Sequence, residues 1–401
     1  MTEQEQAALP FGLRPVINAA GTMTYLGASR VSPRVIDAMS RVLPAFVNMS
    51  DLQRRASRVI ARATGGEAGC VTASAAAGIS VAVAACMTGD DLYRIEQLPD
   101  TLGGKSEVIV QKGHAVGYGA SLSQAIRLTG ATCVEIGAVS GCAGYQLRGA
   151  INGRTAAVVY VVSHHTVQTG MIGLRDCCAI AAEYGVPVIV DAASEYDLTA
   201  FLAAGAALAI YSGHKFLGGP TSGIIAGRKP LVRACYMQEK GIGRGMKVGK
   251  ESIAGAMEAL EAWLARDADA IRAAEEARIA RAEQTLGALE GMRVFRIADP
   301  TGNPIVRLAV APDPLRCRLD ALALSRLLAA GEPSVRVRAH EAELGYFQLD
   351  PCNVTDDEMD VVCARIAELV RGERSKSAPG AAPAAPTPAD AALADLLRWP
   401  D

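Results

Sequence analysis

Two side chains that can do chemistry, Asp191 and Lys215, each follow an apolar run of the kind that forms a buried strand. Asp191 ends the run VIVD, and Lys215 lies in SGHKFLGG directly after the apolar residues Ala206–Tyr211. One helix and one strand fit between them. Because ligands of open α/β sheets bind outside the carboxyl ends of the strands, we expect both side chains to line one crevice.

A carboxylate and a lysine at neighbouring strand ends indicate pyridoxal 5'-phosphate as the cofactor. The carboxylate would keep the pyridine nitrogen protonated, and the lysine amine would bind the aldehyde carbon covalently. An amine attacks a carbonyl only after it loses its proton, and partial burial makes that loss easier. An alternative role for Asp191, the N-cap of the following helix, stays open at this stage.

The small residues of VTASAAAGIS predict a helix that begins near Ser74, Ala75 and Ala76. The free N–H groups and the dipole of a helix N-terminus bind phosphate, although alanine-rich turns are common and the motif alone is weak. Ser212 and His214, on the amino-terminal side of the lysine, are candidates to donate further hydrogen bonds to the same phosphate.

Three histidines follow strand-like runs. His114, in QKGHAVGYG, either stacks on the cofactor ring or is an ordinary loop histidine, and both interpretations stay open. His164 and His165 are neighbours, but no third ligand lies at metal spacing, so the sequence predicts no metal site. One of this pair is a candidate to face the cofactor or the substrate, and a structural role is the alternative.

The substrate-binding candidates are mostly cations. The segment GIGRGMKVGKES is either a solvated loop or a flexible clamp for a carboxylate or phosphate. Arg336 and Arg338, in SVRVRA, fall on one face of a strand, and Arg338 is the candidate for the substrate α-carboxylate. The full set of substrate-binding candidates is Arg244, Lys247, Lys250, Arg338 and Thr22.

Strand-like and helix-like segments alternate through the first part of the chain, which predicts an α/β domain with a mostly parallel sheet. The predicted strands are Val108–Gln111, Cys133–Ile136, Ala156–Val162, Val186–Val190 and Ala206–Tyr211. The predicted helices are Ser50–Ala63, Ala77–Met87, Ser121–Leu128, Leu174–Glu183 and Asp197–Ala203.

A long helix from Glu251 to about Leu289 is expected to lead into a small α+β domain. Its predicted strands are MRVFRI, PIVRLAV, SVRVRA and GYFQLDP, followed by a helix from Thr355 to about Arg371. The predicted organisation is an arm at 1–30, a large domain at 31–255, the helix at 256–290, the small domain at 291–373 and a tail at 374–401. Within the tail, Ser375–Pro388 is rich in proline and alanine and is predicted to be disordered.

The composition excludes several functional classes. Lys and Arg number 40 against 42 Asp and Glu, and a net charge of −2 gives no electrostatic reason to expect a nucleic-acid partner. No apolar run spans a bilayer, and the acidic start is no signal peptide. The ten cysteines form no C-x-x-C pair and lie mostly among apolar residues, which indicates reduced thiols in the cytoplasm. The adjacent pair Cys177 and Cys178 is predicted to be core.

Taken together, the motifs resemble those of the fold-type-I pyridoxal-phosphate enzymes. The resemblance is to the selenocysteine synthase-like group and, within it, to the D-glucosaminate-6-phosphate ammonia-lyase-like proteins. The matching segments, in the expected order, are INAAGTMTYLG, TASAAAGI, ACMTGDD, VIVDAASE, YSGHKFLGGPTSGIIAGRK and GIGRGMKVGKE. The implied fold is an aminotransferase-like large α/β domain with a small C-terminal α+β domain.

The resemblance implies that Lys215 carries the cofactor, that Asp191 meets its ring nitrogen and that Ser74–Ala76 holds its phosphate. It assigns no role to His214, which is a candidate specificity marker. Since the family-type segment starts at Ile17, we expect no N-terminal domain for transfer RNA and no selenium transfer. It also implies a homodimer or larger homo-oligomer, with segments Asn18–Gly27 and Phe46–Leu52 as candidates to reach a second subunit.

The leading hypothesis for function is a lyase that removes water and ammonia from a β-hydroxy α-amino acid and leaves a 2-oxo acid. A sugar amino acid or its phosphate is a candidate substrate, and Lys215 would take the proton from Cα. Aldol cleavage and racemisation remain open, because the bond that breaks is set by a geometry that a sequence does not show. A binding or regulatory module is the alternative outside enzymes, and the presence of both Lys215 and Asp191 disfavours it.

Overall fold

The computed structural model describes residues 9–100, 103–374, 396–397 and 399–400. The chain divides into two compact units. The larger unit is Ser29–Arg266 together with Pro300–Asn303, and the smaller unit holds the described residues of Met1–Ala28, Asp267–Asp299 and Pro304–Asp401. The predicted disordered stretch Ser375–Pro388 lies outside the described residues. No helix in the described ranges is long and apolar enough to cross a membrane.

The regular elements cover most of the described chain. The strands are β1 Val16–Ala19, β2 Ala68–Thr72, β3 Glu107–Gln111, β4 Thr132–Ile136, β5 Thr155–Val161, β6 Val188–Asp191, β7 Leu208–Ser212, β8 Gly223–Gly227, β9 Met292–Ala298, β10 Val306–Pro312, β11 Ser334–Val337 and β12 Phe347–Leu349. The α-helices are Pro33–Val42, Met49–Thr64, Ala75–Thr88, Leu92–Gln97, Leu122–Arg127, Gly144–Ala150, Leu174–Glu183, Ala200–Ala203, Lys229–Met237, Lys250–Ala265, Ala268–Gly287, Pro314–Cys317, Ala321–Ala330 and Asp356–Arg374. Short 3-10 turns are Pro10–Gly12, Thr24–Leu26, Lys112–His114, Gln238–Lys240, Ile242–Met246 and Ala342–Leu344.

The larger unit is built on a seven-stranded sheet with the strand order β2-β8-β7-β6-β5-β3-β4. Neighbouring strands are parallel except where β8 pairs antiparallel with β2 and with β7. Both faces of the sheet are covered, so successive residues of one strand enter different cores. In β7, Ala209 and Tyr211 pack on one side and Leu208 and Ile210 on the other. Apolar residues on both faces explain why these strands are near-continuous apolar runs.

The five strands predicted for the large domain are confirmed, but the sequence analysis missed β8. β8 has the sequence GIIAG. Its two glycines make it hard to recognise as a strand, because glycine is unfavourable in strands. Both glycines are needed by the packing. A Cβ on Gly227 would lie 2.2 Å from the carbonyl oxygen of Ala207, and one on Gly223 would lie 2.2 Å from that of Ser74.

Two predicted helices are wrong in extent. The predicted helix Asp197–Ala203 shortens to Ala200–Ala203, because the Asp197 carboxylate accepts from the Thr199 and Ala200 N–H groups and so caps the turn. The single helix expected from Glu251 to Leu289 is two helices. Arg266 is extended, and the Asp267 side chain accepts from the Ala270 N–H to start a second helix.

The smaller unit is the predicted α+β fold. β9, β10 and β12 form an antiparallel sheet in the order β12-β10-β9, and β1 pairs parallel with β11. The four strands and the final helix predicted for this part are all present. Helix Ala321–Ala330, which the sequence analysis did not identify, packs its buried face into the same core.

A buried cluster of charges lies in the smaller unit. The Arg307 guanidinium donates to the Asp350 carboxylate at 2.6 Å and to the Asp299 carboxylate at 2.8 Å, and all three side chains are at most 6% exposed. Burial raises the pKa of Asp350, but the charge of Arg307 and hydrogen bonds outweigh burial, so the pKa lies below its ordinary value. The Asp350 carboxylate also lies against Gly21, where a Cβ would be 2.8 Å from Oδ2.

We expect Arg307→Met to destabilise the smaller unit by about 3–5 kcal/mol, because the change leaves two buried carboxylates without their cation. The free energy of unfolding would be measured in urea by hydrogen–deuterium exchange of peptides from β10. Because folding lowers the pKa of Asp350, its stabilisation is present above about pH 4 and disappears as the pH falls through the folded pKa. In Arg307→Met, the free energy of unfolding should lose this decrease at acidic pH.

The matched control is Arg272→Met, which removes an exposed pair with Asp269 whose side chains are 54% and 92% exposed. That change should cost less than about 1 kcal/mol. Equal losses from the two variants would contradict a special contribution from the buried cluster.

Candidate active site

Lys215 and Asp191 lie close together at the carboxyl ends of neighbouring strands. Asp191 is the last residue of β6, and Lys215 follows β7, which pairs with β6. The Lys215 Nζ donates to the Ser194 Oγ at 2.5 Å, and its positive charge acts on Asp191. The larger unit therefore brings together the carboxylate and the amine that the sequence singled out.

Asp191 is buried at 6% exposure, and its Oδ1 accepts from the Ala193 N–H at 3.2 Å. Burial raises the pKa of this carboxyl, and the charge of Lys215 and the Ala193 hydrogen bond offset burial only in part. A buried carboxylate with a raised pKa is one that a cationic ligand atom would stabilise. The helix after Asp191 begins only at Ala200, so Asp191 is not its N-cap.

Next to this pair, β2 and β7 end and β8 begins side by side. Thr72 of β2, Gly223 of β8 and Ser212 of β7 stand opposite one another in the pairing register. Ser74 follows β2, caps helix Ala75–Thr88 by accepting from the Ala77 N–H at 3.0 Å, and touches Gly223. The absence of a side chain at Gly223 is what lets the helix N-terminus approach the sheet here.

His214 carries an unsatisfied nitrogen at the same place. Its Nδ1 lies 3.2 Å from the Ser212 Oγ, and its buried Nε2 has no hydrogen-bond partner within the described part of the chain. Burial lowers the pKa of His214, and Lys215 lowers it further, so the ring is neutral at neutral pH. When Nδ1 accepts from Ser212, Nε2 carries the hydrogen and can donate it to a ligand.

His114 is anchored rather than loose. Its ring is 3% exposed, its Nδ1 accepts from the Val161 N–H at 3.2 Å, and it meets Tyr160 edge to face at 4.5 Å. Burial lowers its pKa to about 4. The ring centres of His164 and His165 lie 3.8 Å apart. The proposed stacking of His114 on a cofactor ring stays a prediction.

Two residues near Asp191 were missed by the sequence analysis. Ser194 receives the Lys215 hydrogen bond, and Tyr118 lies near enough for the charge of Asp191 to act on it. Burial, with a contribution from Asp191, raises the pKa of Tyr118 to about 12, and its buried hydroxyl has no partner among the described residues. A serine or a tyrosine in a loop has no spacing that could have revealed either role.

Two of the cations in the glycine-rich segment contact protein groups. Lys250 begins helix Lys250–Ala265 and donates to the Ala45 carbonyl, and Arg244 lies 3.9 Å from the Glu239 carboxylate. Burial raises the pKa of Glu239, and the charges of Arg244 and Lys247 offset burial in part. The structure thus favours a partly ordered segment over a fully solvated loop.

Thr22 and Arg338 belong to the smaller unit. Thr22 follows the Gly21 turn, where the Asn18 side chain accepts from the Ala20 N–H and donates to the Gly21 carbonyl. Arg338 directly follows β11 and pairs with Gln348 in an isolated antiparallel bridge. It is 6% exposed, and burial followed by repulsion from Arg307 lowers its pKa.

The residues of the larger unit fit pyridoxal phosphate. Asp191 would hold the ring nitrogen, Lys215 the aldehyde carbon, and the phosphate would meet the start of helix Ala75–Thr88 with Ser212 and His214. The fit rests on two features that protein groups leave unbalanced. One is a buried carboxylate with a raised pKa, and the other is the orphaned Nε2 of His214, whose ring contacts Ser212.

The chain is similar to curated proteins over most of its length. A D-glucosaminate-6-phosphate ammonia lyase from Salmonella typhimurium is 40% identical over 358 residues, which cover 89% of this chain and 96% of the relative. A 5'-C-glycyluridine monooxygenase-decarboxylase from a Streptomyces species is 39% identical over 361 residues, which cover 90% of each.

Solved structures show the same fold. A D-glucosaminate-6-phosphate ammonia-lyase matches with a TM-score of 0.83 at 39% identity, over 90% of this chain and 97% of the other. Aspartate aminotransferase from Thermus thermophilus with maleate matches with a TM-score of 0.53 at 17% identity, over 88% and 92%, which is a likeness of fold alone. The predicted aminotransferase-like α/β fold is confirmed. The family model described as SelA, L-seryl-tRNA selenium transferase, matches residues 16–286, and the chain therefore belongs to this family of fold-type-I proteins.

Proposed function

We propose that this chain is a pyridoxal-phosphate-dependent ammonia lyase that acts on a β-hydroxy α-amino acid of the sugar amino acid phosphate class. The observation that carries the proposal is the Lys215 amine beside the buried Asp191 carboxylate, in a chain 40% identical over 89% of its length to an enzyme of that name. The products would be a 2-oxo acid and ammonia.

When bound, pyridoxal phosphate supplies an electron-poor ring that takes up the electron pair left when a bond to the substrate Cα breaks. Asp191 would keep the ring nitrogen protonated by holding an opposite charge in a buried site. The Lys215 Nζ would accept the Cα proton, because its tether holds it beside the ring. The Cβ hydroxyl would leave as water with the proton that Lys215 took from Cα, and a second water molecule would then release the nitrogen as ammonia.

The substrate's anionic groups would bind to the cations identified from the sequence. Arg244, Lys247 and Lys250 would hold a distal phosphate. In the smaller unit, Arg338 is a candidate for a carboxylate ligand, because a buried guanidinium with a lowered pKa gains from an anionic partner.

The reaction is tested by incubating the purified chain and pyridoxal phosphate with D- and L-2-amino-3-hydroxy acids, with and without a terminal phosphate. We expect release of equal amounts of ammonia and 2-oxo acid. Lys215→Ala should lower the rate by at least about 10³-fold, because the base and the covalent link are lost together. Borohydride should fix the cofactor to the peptide that contains Lys215.

The control is Lys229→Ala, which removes an exposed lysine and should leave ammonia release unchanged. Several products would contradict the lyase. Release of an aldehyde and glycine would indicate an aldolase. Inversion of the substrate's Cα configuration without release of ammonia would indicate a racemase. Oxygen-dependent release of carbon dioxide would indicate the monooxygenase-decarboxylase chemistry in the name of the Streptomyces relative. Protein that stays colourless with added pyridoxal phosphate indicates a binding module.

We expect His214→Ala to weaken the binding of pyridoxal phosphate by about tenfold. The binding of pyridoxal, which lacks the phosphate, should not change. The reason is that one hydrogen bond from Nε2 to a phosphate oxygen contributes about 1–2 kcal/mol. Both dissociation constants would be measured by quenching of protein fluorescence. Equal weakening of the two ligands would indicate that His214 contacts another part of the cofactor or only supports the fold.

We further propose a homodimer or larger homo-oligomer. The turn before helix Met49–Thr64 exposes apolar side chains, with Phe46 at 107%, Val47 at 37% and Met49 at 39% exposure. Lys250 orders this turn by donating to the Ala45 carbonyl, and its Nζ lies 6.0 Å from the Phe46 ring centre. An ordered apolar surface of this kind is suited to a second copy.

Phe46→Asp should shift the mass measured by light scattering at micromolar concentration towards the monomer, because it places a charge on the apolar turn. The control Leu315→Asp changes a side chain that is 93% exposed in the smaller unit and should not alter the mass. A monomeric parent chain would contradict the proposal outright.

The compartment is proposed from the thiols. All ten cysteines are free, and most are buried. The adjacent Cys177 and Cys178 are 0% and 6% exposed, which confirms the prediction that they are core. Ten unpaired thiols fit a reducing compartment, so we propose the cytoplasm.

A further inference from the structure

The connection between β9 and β10 lies close to Lys215, although it is far from this lysine in sequence. Residues Pro300–Asn303 join β9 to β10 but belong to the larger unit. The Asn303 Nδ2 donates to the Ser194 carbonyl at 3.3 Å, and its Oδ1 accepts from the Tyr196 N–H at 2.9 Å. One amide side chain thus satisfies the backbone groups on both sides of residue 195, as a neighbouring strand would.

Thr301 makes a second contact between this connection and the residues around Glu195. Its hydroxyl donates to the Glu195 carboxylate, with distances of 3.0 and 3.2 Å to the two oxygens, and it accepts from the Asn303 Nδ2 at 3.0 Å. Glu195 is 8% exposed, so this carboxylate is inside the protein. Gly302 has a φ of +84°, a left-handed conformation that suits glycine and closes the turn between Thr301 and Asn303.

Residues Ser194 and Tyr196, which flank Glu195, contact Lys215 and the neighbouring Phe216. The Ser194 Oγ accepts from the Lys215 Nζ, and the Tyr196 ring lies 4.4 Å from the Phe216 ring and 5.0 Å from the Trp263 ring. Residues Ser194–Tyr196 are therefore fixed on one side by Asn303 and Thr301 and on the other side support the lysine.

We propose that Ser194 orients the Lys215 amine and that Asn303 is a positioning residue that acts through Ser194. A lysine side chain has four rotatable bonds, and holding it in one geometry avoids a loss of effective concentration at the moment of proton transfer. This inference rests on the proposed function, in which Lys215 gives and takes protons. Neither residue was singled out by the sequence analysis, and their roles are separate from the role proposed for Asp191.

The first measurement needs no cofactor. In the full-length chain freed of pyridoxal phosphate, acetylation of each lysine is followed by peptide mass spectrometry as a function of pH. Ser194→Ala removes an oxygen that accepts from the ammonium, so the midpoint for Lys215 should fall by at least about 0.5 pH unit. Asn303→Ala should move it in the same direction by less, and the double variant should match Ser194→Ala alone.

The second measurement uses the loaded enzyme. Ser194→Ala and Asn303→Ala should each lower kcat for ammonia release by about 10-fold or more and shift the acid limb of its pH profile, with little change in KM. The control Asn353→Ala removes an asparagine that donates to the Ala28 carbonyl in the smaller unit, and it should alter neither readout. Labelling of Lys229 should be the same in every variant.

An unchanged Lys215 midpoint in Ser194→Ala overturns the role of Ser194. Additive shifts in the double variant overturn the claim that Asn303 acts through Ser194. If Asn303→Ala fails to fold, Asn303→Asp keeps the acceptor for Tyr196 and loses the Nδ2 donor to Ser194 and Thr301, and it should still move the midpoint. A midpoint shift in a chain that releases no ammonia would support the positioning role and reject the proposed lyase.

Discussion

A carboxylate buried at the end of a central strand needs a positive charge beside it. Without one, burial costs several kcal/mol or leaves the group protonated. Asp191 is in this position, and Lys215 offsets only part of the cost. The site is therefore unbalanced by itself, and a cation from outside the chain would complete it. This constraint explains why a carboxylate at the end of β6 indicates ligand chemistry rather than simple packing.

The cluster around Arg307 shows the contrast. There the chain supplies both signs of charge, each carboxylate has its guanidinium contact, and the pKa of Asp350 lies below its ordinary value. Around Asp191 the pKa is raised, and the nearby Tyr118 hydroxyl and His214 Nε2 have no partner among the described residues. Buried charge that is satisfied internally is a structural device, whereas buried polar atoms left open at one place mark where a polar ligand belongs.

The glycines of β8 connect the fold to this site. A strand that passes between β2 and β7 with no side chain at Gly223 allows the cap of helix Ala75–Thr88 to touch the sheet. The helix N-terminus, Ser212 and His214 then share one edge, next to the strand that leads to the lysine. The same glycine that weakens β8 as a strand sequence lets this helix N-terminus reach the edge where we propose that the phosphate binds.

The amino-acid sequence alone was enough to predict the α/β class, five central strands, the smaller α+β unit and the placement of Asp191 and Lys215 at neighbouring strand ends. Those features are local, since apolar runs form buried strands and strand ends gather at one edge of a sheet. The folded chain was needed to show that Gly223–Gly227 is a strand and that Ser194 and Asn303 meet beside Lys215. Both features depend on partners far away along the chain, such as Ser74 for Gly223 and Ser194 for Asn303. A glycine, a serine or an asparagine has the same appearance in sequence whether or not such a partner exists, because its role comes from the contact and not from its local pattern.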